Sequence, residues 1–353
     1  MTRLRIPGLI DVHVHLRDPG QTEKEDFYTG TSAAVAGGFV TVIDMPNNAS
    51  PITTYGRLDE KRKLVKEKAV CSVGLYAGSL GDNADELRRM EPYVMGLKLY
   101  LNKTTGNFLV DRESLERIFS YWNSKKPILV HGEEDILPDI LQVVAKTGKR
   151  LHVCHVSKKS ELSVILAAKK SGLPVTCGVT PHHLFLTDSD IKKLGTYALM
   201  KPELGTKSDQ QYLWDHLSEI DVIESDHAPH TISEKHSAHP PFGVPNLDTT
   251  LPLLLTAVSK NRLTMGDVIR LCHTNPARIF TLPTDTDTYV EIDPEEEYTV
   301  RKSDLKTRCA WSPFEGWSMK GRVKKTVIKG KTMFENGHIV AKPGSGSLLS
   351  VQT

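Results

Sequence analysis

Short apolar runs recur about every 25 to 30 residues through most of this chain, and a helix-like stretch follows nearly every one. The runs are Leu9–His15, Val40–Met45, Val70–Ala77, Gly96–Leu101, Ile128–His131, Leu151–Val156, Val175–Val179 and Val222–Ser225. Between them lie helical patterns over Phe27–Gly37, Tyr55–Lys68, Arg112–Trp122, Ile136–Thr147 and Glu161–Ser171. Near-continuous apolar strands are buried on both faces, and their alternation with amphipathic helices makes parallel βαβ units. Eight such units in about 250 residues predict a closed (β/α)8 barrel, an α/β fold of the TIM type, rather than an open doubly wound sheet.

The pattern changes after two further helical stretches, Thr249–Lys260 and Met265–His273. Tyr289–Ile292, Glu297–Val300, Val323–Ile328 and Lys331–Phe334 read as short antiparallel strands, with turns at Lys329-Gly330-Lys331 and Asn336-Gly337-His338. The expected plan is a barrel over 1–283, a small β appendage over 284–342 and a tail or linker over 343–353, where Pro343-Gly344-Ser345-Gly346-Ser347 stands. The first strand begins almost at Met1, which suits a domain excised from a longer polypeptide as well as a free-standing protein.

A formal net charge of +2 gives no field that argues for nucleic acid or a membrane as partner. The five cysteines are odd in number, scattered and set in apolar runs, so reduced thiols and a cytoplasmic setting are expected. No apolar run approaches the length of a membrane span, so a soluble protein is expected.

In barrels of this kind, chemistry sits at the C-terminal ends of the strands. The first strand ends in Asp11-Val12-His13-Val14-His15, where alternation places both imidazoles on one side, a spacing able to hold a divalent metal. Arg17 follows, with a planar fork of donors that matches a carboxylate. Lys98 lies in the fourth strand, His131 ends the fifth, His155 the sixth, and Asp226 the eighth. A single strand-end histidine is ordinary. Six suitable positions on five strands, all at the predicted mouth, are not explained by coincidence. Lys98 is flanked by apolar residues, where an unpaired ammonium is costly. Either it is a Schiff-base lysine, or it is carbamylated and bridges two metals; the surrounding histidines favour the bridge.

Several motifs then become specific together: His13-Val14-His15-Leu16-Arg17-Asp18-Pro19-Gly20, Asp44-Met45-Pro46-Asn47-Asn48, Gly96-Leu97-Lys98, Pro181-His182-His183 and Ser225-Asp226-His227-Ala228-Pro229-His230. The set resembles the dihydroorotases of the amidohydrolase superfamily, in particular the dihydroorotase domain of animal multifunctional pyrimidine-synthesis polypeptides, over essentially the whole chain. The resemblance implies two Zn2+ ions. His13, His15 and Asp226 hold one, and His131 and His155 the other, with carboxylated Lys98 and a hydroxide shared. It implies reversible cyclisation of N-carbamoyl-L-aspartate to L-dihydroorotate, with Asp226 as general base and then acid. Arg17, Asn47 and His230 are its positions for the unreacting carboxylate of the substrate, and the Phe242-Gly243 backbone is a pocket wall. A homodimer, and fusion to carbamoyl-phosphate synthetase and aspartate transcarbamoylase, are also implied.

Three departures stand out. Lys201 replaces an expected Arg, keeping the charge without the fork. Gly178 stands where a Glu is expected, so an extra metal shared with Cys154 is not expected; Cys154 reads as core. In the loop Asn102–Leu109, a candidate lid, Thr104 is followed by Thr105 where an aromatic residue is expected. His182 and His183 read as structural or as supports behind the metal ligands, and Glu133 and Glu134 as carboxylates at a helix start. The rival readings are an allantoinase or another cyclic amidohydrolase, and a catalytically inactive scaffold on the same fold.

Overall fold

The structure is a computed structural model describing residues 3–104 and 108–349. After a short first strand, β1 (Leu4–Pro7), the chain enters the barrel. Its strands are β2 (Leu9–Val14), β3 (Phe39–Asp44), β4 (Ser72–Leu75) continued past Tyr76 as β5 (Ala77–Gly78), β6 (Leu97–Tyr100), β7 (Ile128–His131), β8 (Leu151–Val153), β9 (Val175–Val179) and β10 (Val222–Ile223). All neighbours pair in parallel. A Val14–His227 bridge and a bond from His15 N–H to His227 O at 2.8 Å join the last strand to the first and close the cylinder.

The intervening helices start where side chains supply the missing acceptors. Asp26 accepts from Thr29 N–H at 2.8 Å ahead of Phe27–Ala36, and Thr54 accepts from Arg57 N–H ahead of Tyr55–Lys68. Inside the barrel, Ile10, Val12, Ile43, Met45, Tyr76 and Leu129 pack with Ile279 and Phe280 into an apolar layer. The Tyr76 hydroxyl finds Val12 O at 2.9 Å.

Strand β2 does not alternate as simply as the sequence suggests. Ile10 and Val12 face the interior and Val14 faces the helical layer, with a register break between Asp11 and Val14. Unbroken alternation would put His13 and His15 on the side opposite Ile10 and Val12. The irregularity turns both imidazoles to the mouth, and Asp11 braces it by accepting from His13 N–H at 3.1 Å and Ser225 N–H at 3.2 Å.

Beyond the barrel, β11 (Tyr289–Thr299), β12 (Ser318–Ile328), β13 (Lys331–Glu335) and β14 (His338–Ile339) form an antiparallel sheet with β1 on its edge. Two of the expected strands, Tyr289–Ile292 and Glu297–Val300, are one strand up to Thr299 with a bulge between Asp293 and Glu297, where Asp293 accepts from the Glu295 and Glu296 amides. The boundaries differ from the sequence plan at both ends. Residues 4–7 join the appendage rather than the barrel, because antiparallel pairing to β11 satisfies their backbone. Ser347–Leu348, expected as tail, forms β15 parallel to β4, whose edge is open below Tyr76 because pairing to β6 begins only at Ala77. Among the described residues no helix is long and apolar enough to cross a membrane.

Candidate active site

A cleft of about 400 Å3 opens at the C-terminal ends of the barrel strands, lined by His13, His15, Arg17, Asn47, Tyr100, Thr104, His131, His155, Lys201, Asp226, Phe242 and Gly243. A larger cleft of about 840 Å3 lies at the opposite end, around Gly8, His273 and Ser347, away from this constellation. Chemistry, not volume, marks the site.

Lys98, His13, His131, His155 and Asp226 are all buried. His13 Nε2 lies 3.3 Å and His15 Nε2 3.1 Å from Asp226 Oδ1. On the other side, His131 Nδ1 faces His155 Nε2 at 3.0 Å. The rings of His13 and His155 stand 5.0 Å apart, joining the two halves. Burial, and then the charge of Lys98, lowers the His13 imidazole to about 4, and burial with His131 and Lys98 nearby keeps His155 well below its ordinary value. Burial opposes ionisation of Asp226, yet the imidazoles of His13 and His15 hold its carboxyl well below the usual range. Neutral imidazoles beside an ionised carboxylate are the protonation state a cation needs.

Three features fit a metal. Asn47 Oδ1 accepts from His15 Nδ1 at 2.7 Å, so His15 Nε2 keeps its lone pair toward Asp226. His13 Nδ1 and His155 Nδ1 are buried polar atoms without a hydrogen-bond partner among the described residues. Lys98, fully buried, bonds Cys154 Sγ at 3.1 Å, and among the described residues no ion pair reaches it. A buried amine without a counter-charge is the group that gains most from becoming an anionic carbamate between cations. Among the described residues, two groups of three ligand atoms lie within metal-binding reach of one another: His13, His15 and Asp226, and also His13, Cys154 and Glu224.

Arg17 lines the other side of the cleft. Its Nε donates to Pro229 O at 3.1 Å and its Nη2 lies 3.2 Å from His230 Nε2, which in turn lies 3.0 Å from Phe242 O. The guanidinium is thus anchored from behind and faces the cleft. Lys201 pairs with Glu203 at 2.7 Å and stands over the Phe242 ring at 5.3 Å. Thr104 lines the cleft, whereas 105–107, the centre of the expected lid, lie outside the described residues. His182 Nδ1 accepts from Asn246 Nδ2 at 2.8 Å, and the same amide donates to Ser225 O at 2.9 Å, tying the ends of β9 and β10 together. His183 Nε2 lies 3.1 Å from Pro202 O. Glu133 and Glu134, expected at a helix start, instead lie in the turn ahead of the helix Leu137–Thr147, and Glu133 Oε1 is 3.2 Å from His131 Nε2.

Sequence reasoning missed Glu224. It stands two residues before Asp226 in a motif otherwise read for its aspartate and histidines, and a lone carboxylate on an apolar strand was its only signal.

The amidohydrolase family model matches residues 4–333. A dihydroorotase from Pyrococcus horikoshii is 36% identical, covering 97% of this chain and 83% of that protein. The chain belongs to the dihydroorotase family of amidohydrolases. The multifunctional protein CAD of Squalus acanthias is 44% identical over 97% of this dihydroorotase-family chain, which spans only 15% of that protein's length. The same barrel recurs in the inactive dihydroorotase-like domain of the Chaetomium thermophilum CAD-like multifunctional protein, with a TM-score of 0.85 and 28% identity over 99% of this chain and 100% of that one.

Proposed function

We propose that this chain is a dihydroorotase that interconverts N-carbamoyl-L-aspartate and L-dihydroorotate. The observation that carries the reading is the meeting, on one rim, of the His13, His15 and Asp226 group with the His131–His155 pair and buried Lys98, beside an anchored Arg17. His13, His15 and Asp226 would hold one zinc ion, His131 and His155 the other, with carboxylated Lys98 between them. When bound, two such cations lower the pKa of a shared water and polarise an amide carbonyl.

The protein's own groups do the rest. The Arg17 fork, the free amide of Asn47 and His230 receive the carboxylate that does not react, which aligns the ring carbonyl with the metal side of the cleft. In the hydrolytic direction a C–O bond forms at that carbonyl and the ring C–N bond breaks. Asp226 takes the proton from the attacking oxygen and returns it to the departing nitrogen. Ring closure runs the same transfers backwards. Lys201 lines the same cleft and adds positive charge without a bidentate grip.

The relatives' names support the substrate class, and the small share of the multifunctional relatives that this chain spans supports a fused context; carbamoyl-phosphate synthetase and aspartate transcarbamoylase as the fused neighbours, a homodimer and a cytoplasmic setting are part of the same proposal. The domain plan within this reading is a barrel carrying the site and an appendage that buttresses it.

Zinc-loaded protein assayed with N-carbamoyl-L-aspartate at mildly acidic pH, beside allantoin and dihydrouracil, tests the assignment. Cyclisation of the first is expected; turnover of only the latter two rejects it. The inactive Chaetomium relative makes a scaffold the second reading, and that reading is favoured if the protein takes up no zinc and turns over none of the three.

A further inference from the structure

Glu224 has no part in the roles assigned above, yet it is 0% exposed and sits beside the metal residues, just past β10. Its Oε2 lies 3.6 Å from His13 Nδ1 and 3.4 Å from His152 Nε2. Its Oε1 accepts the backbone N–H of His155, a residue held at a φ of 38°. The His13 ring therefore lies between two carboxylates, with Nε2 toward Asp226 at 3.3 Å and Nδ1 toward Glu224. His152 is braced in turn by Thr176 Oγ1, 2.9 Å from its Nδ1.

The room for this carboxylate comes from the neighbouring strand. A Cβ on Gly178 would fall 2.5 Å from Glu224 Oε1 and 2.6 Å from its Cδ, so any side chain at 178 would displace it. The resemblance places a Glu where this chain has Gly178. Here β10 supplies the carboxylate and β9 supplies the void.

We propose that Glu224 is a positioning residue for the metal centre: through His13 Nδ1 and the His155 amide it sets the orientation of one ligand from each half of the site. The inference rests on the metal-binding reading above. A histidine that donates its far N–H to a carboxylate is held in one tautomer and becomes a stronger ligand through its other nitrogen. At 3.6 Å the Glu224 contact is longer than a hydrogen bond, and a small rotation of the His13 ring shortens it. The competing role for Glu224 is as a ligand itself, since Cys154 Sγ completes a His13, Cys154 and Glu224 group. The contact of that sulfur with Lys98 Nζ at 3.1 Å argues for the positioning role, because the thiol already serves the lysine.

Zinc affinity and stoichiometry, measured on the full chain by chelator competition and elemental analysis, decide the matter. Glu224→Gln is expected to weaken zinc binding by about 10- to 100-fold while the metal-free protein keeps the parent's far-UV circular dichroism. Gly178→Glu combined with Glu224→Ala delivers a carboxylate to the same void from β9 and is expected to restore affinity to within about tenfold of the parent. Parent-like affinity in Glu224→Gln overturns the inference and leaves the proposed function standing. A third zinc equivalent that disappears in Cys154→Ser also overturns it, because Glu224 is then a ligand. Should Glu224→Gln fail to fold, the double variant decides alone: affinity more than about 100-fold below the parent goes against the inference. A parent chain that binds no zinc removes the metal-binding reading itself, and this inference with it.

Discussion

Arg17, His155 and Asp226 are non-glycine residues with φ of 62°, 38° and 45°, and all three stand at the rim. Each left-handed conformation costs about 1–3 kcal/mol and persists where neighbours over-determine it. Here the determinants are visible: the Arg17 guanidinium on Pro229 O, the His155 amide on Glu224, and the Ser225 amide, one residue before Asp226, on Asp11. Lys98 is the residue on which the two-cation reading turns. Lys98→Ala is expected to bring turnover to the detection limit and to lower bound zinc, with circular dichroism unchanged; parent-like rates would contradict the assignment. Arg17→Lys keeps the charge but loses the fork. A charge-assisted hydrogen bond is worth about 1.5–3 kcal/mol, so steady-state kinetics should show KM raised about 10- to 100-fold and kcat changed far less.

At the scale of elements, the loop after β10 is the least regular part of the cleft and is held by a buried lysine. Lys235 Nζ donates to Leu199 O at 3.1 Å, Pro241 O at 2.9 Å and Gly243 O at 2.9 Å, pinning the segment that carries Phe242. Burial pulls its ammonium from an ordinary 10.5 down to about 7. Between those values the unfolded chain holds a proton that the folded chain has released, so stability rises with pH across the window. Below about pH 7 both forms are charged and the slope vanishes. Urea unfolding from about pH 7 to about pH 9 should show that rise, and Lys235→Met should flatten it. The same variant leaves three carbonyls without their donor. It should cost about 3 kcal/mol of stability and raise KM, because Gly243 and Phe242 line the cleft.

Across the whole molecule, the two ends of the described chain bind its parts together. β1 ties the start of the barrel to the appendage, and β15 fills the open edge of β4 while Leu349 packs on the interior layer. Ending the chain after Lys342 removes Leu348 and Leu349 from these contacts. At about 1.5 kcal/mol each and about 2 °C per kcal/mol, the unfolding midpoint should fall by about 5 °C. Turnover at room temperature should persist, because β15 lies at the end of the barrel away from His13. On the proposed reading zinc would bind only the folded site, so its removal by a chelator should lower the midpoint further. At a zinc concentration of about 1,000 Kd the linkage amounts to about 4 kcal/mol, read by scanning calorimetry with and without metal.

Period and residue type make the barrel legible in the sequence: eight buried runs, their helices and the ligand-type residues at their ends are local properties that survive without knowledge of neighbours. The same locality marked Lys98 as anomalous and Arg17 as a candidate for the rim, where both residues are buried. What the sequence could not supply are contacts between residues far apart in the chain. The break in β2 that turns His13 and His15 to the mouth depends on Asp11 bracing Ser225, more than two hundred positions away. The pairing of residues 4–7 with β11, and of Ser347–Leu348 with β4, depends on which strand edges closure leaves open. The exchange between Gly178 and Glu224 is invisible residue by residue, since one position looks empty and the other ordinary until β9 and β10 lie side by side. Alternation and capping are set by bonds a few residues long; the shape of the site is set by packing, which only the closed barrel brings about.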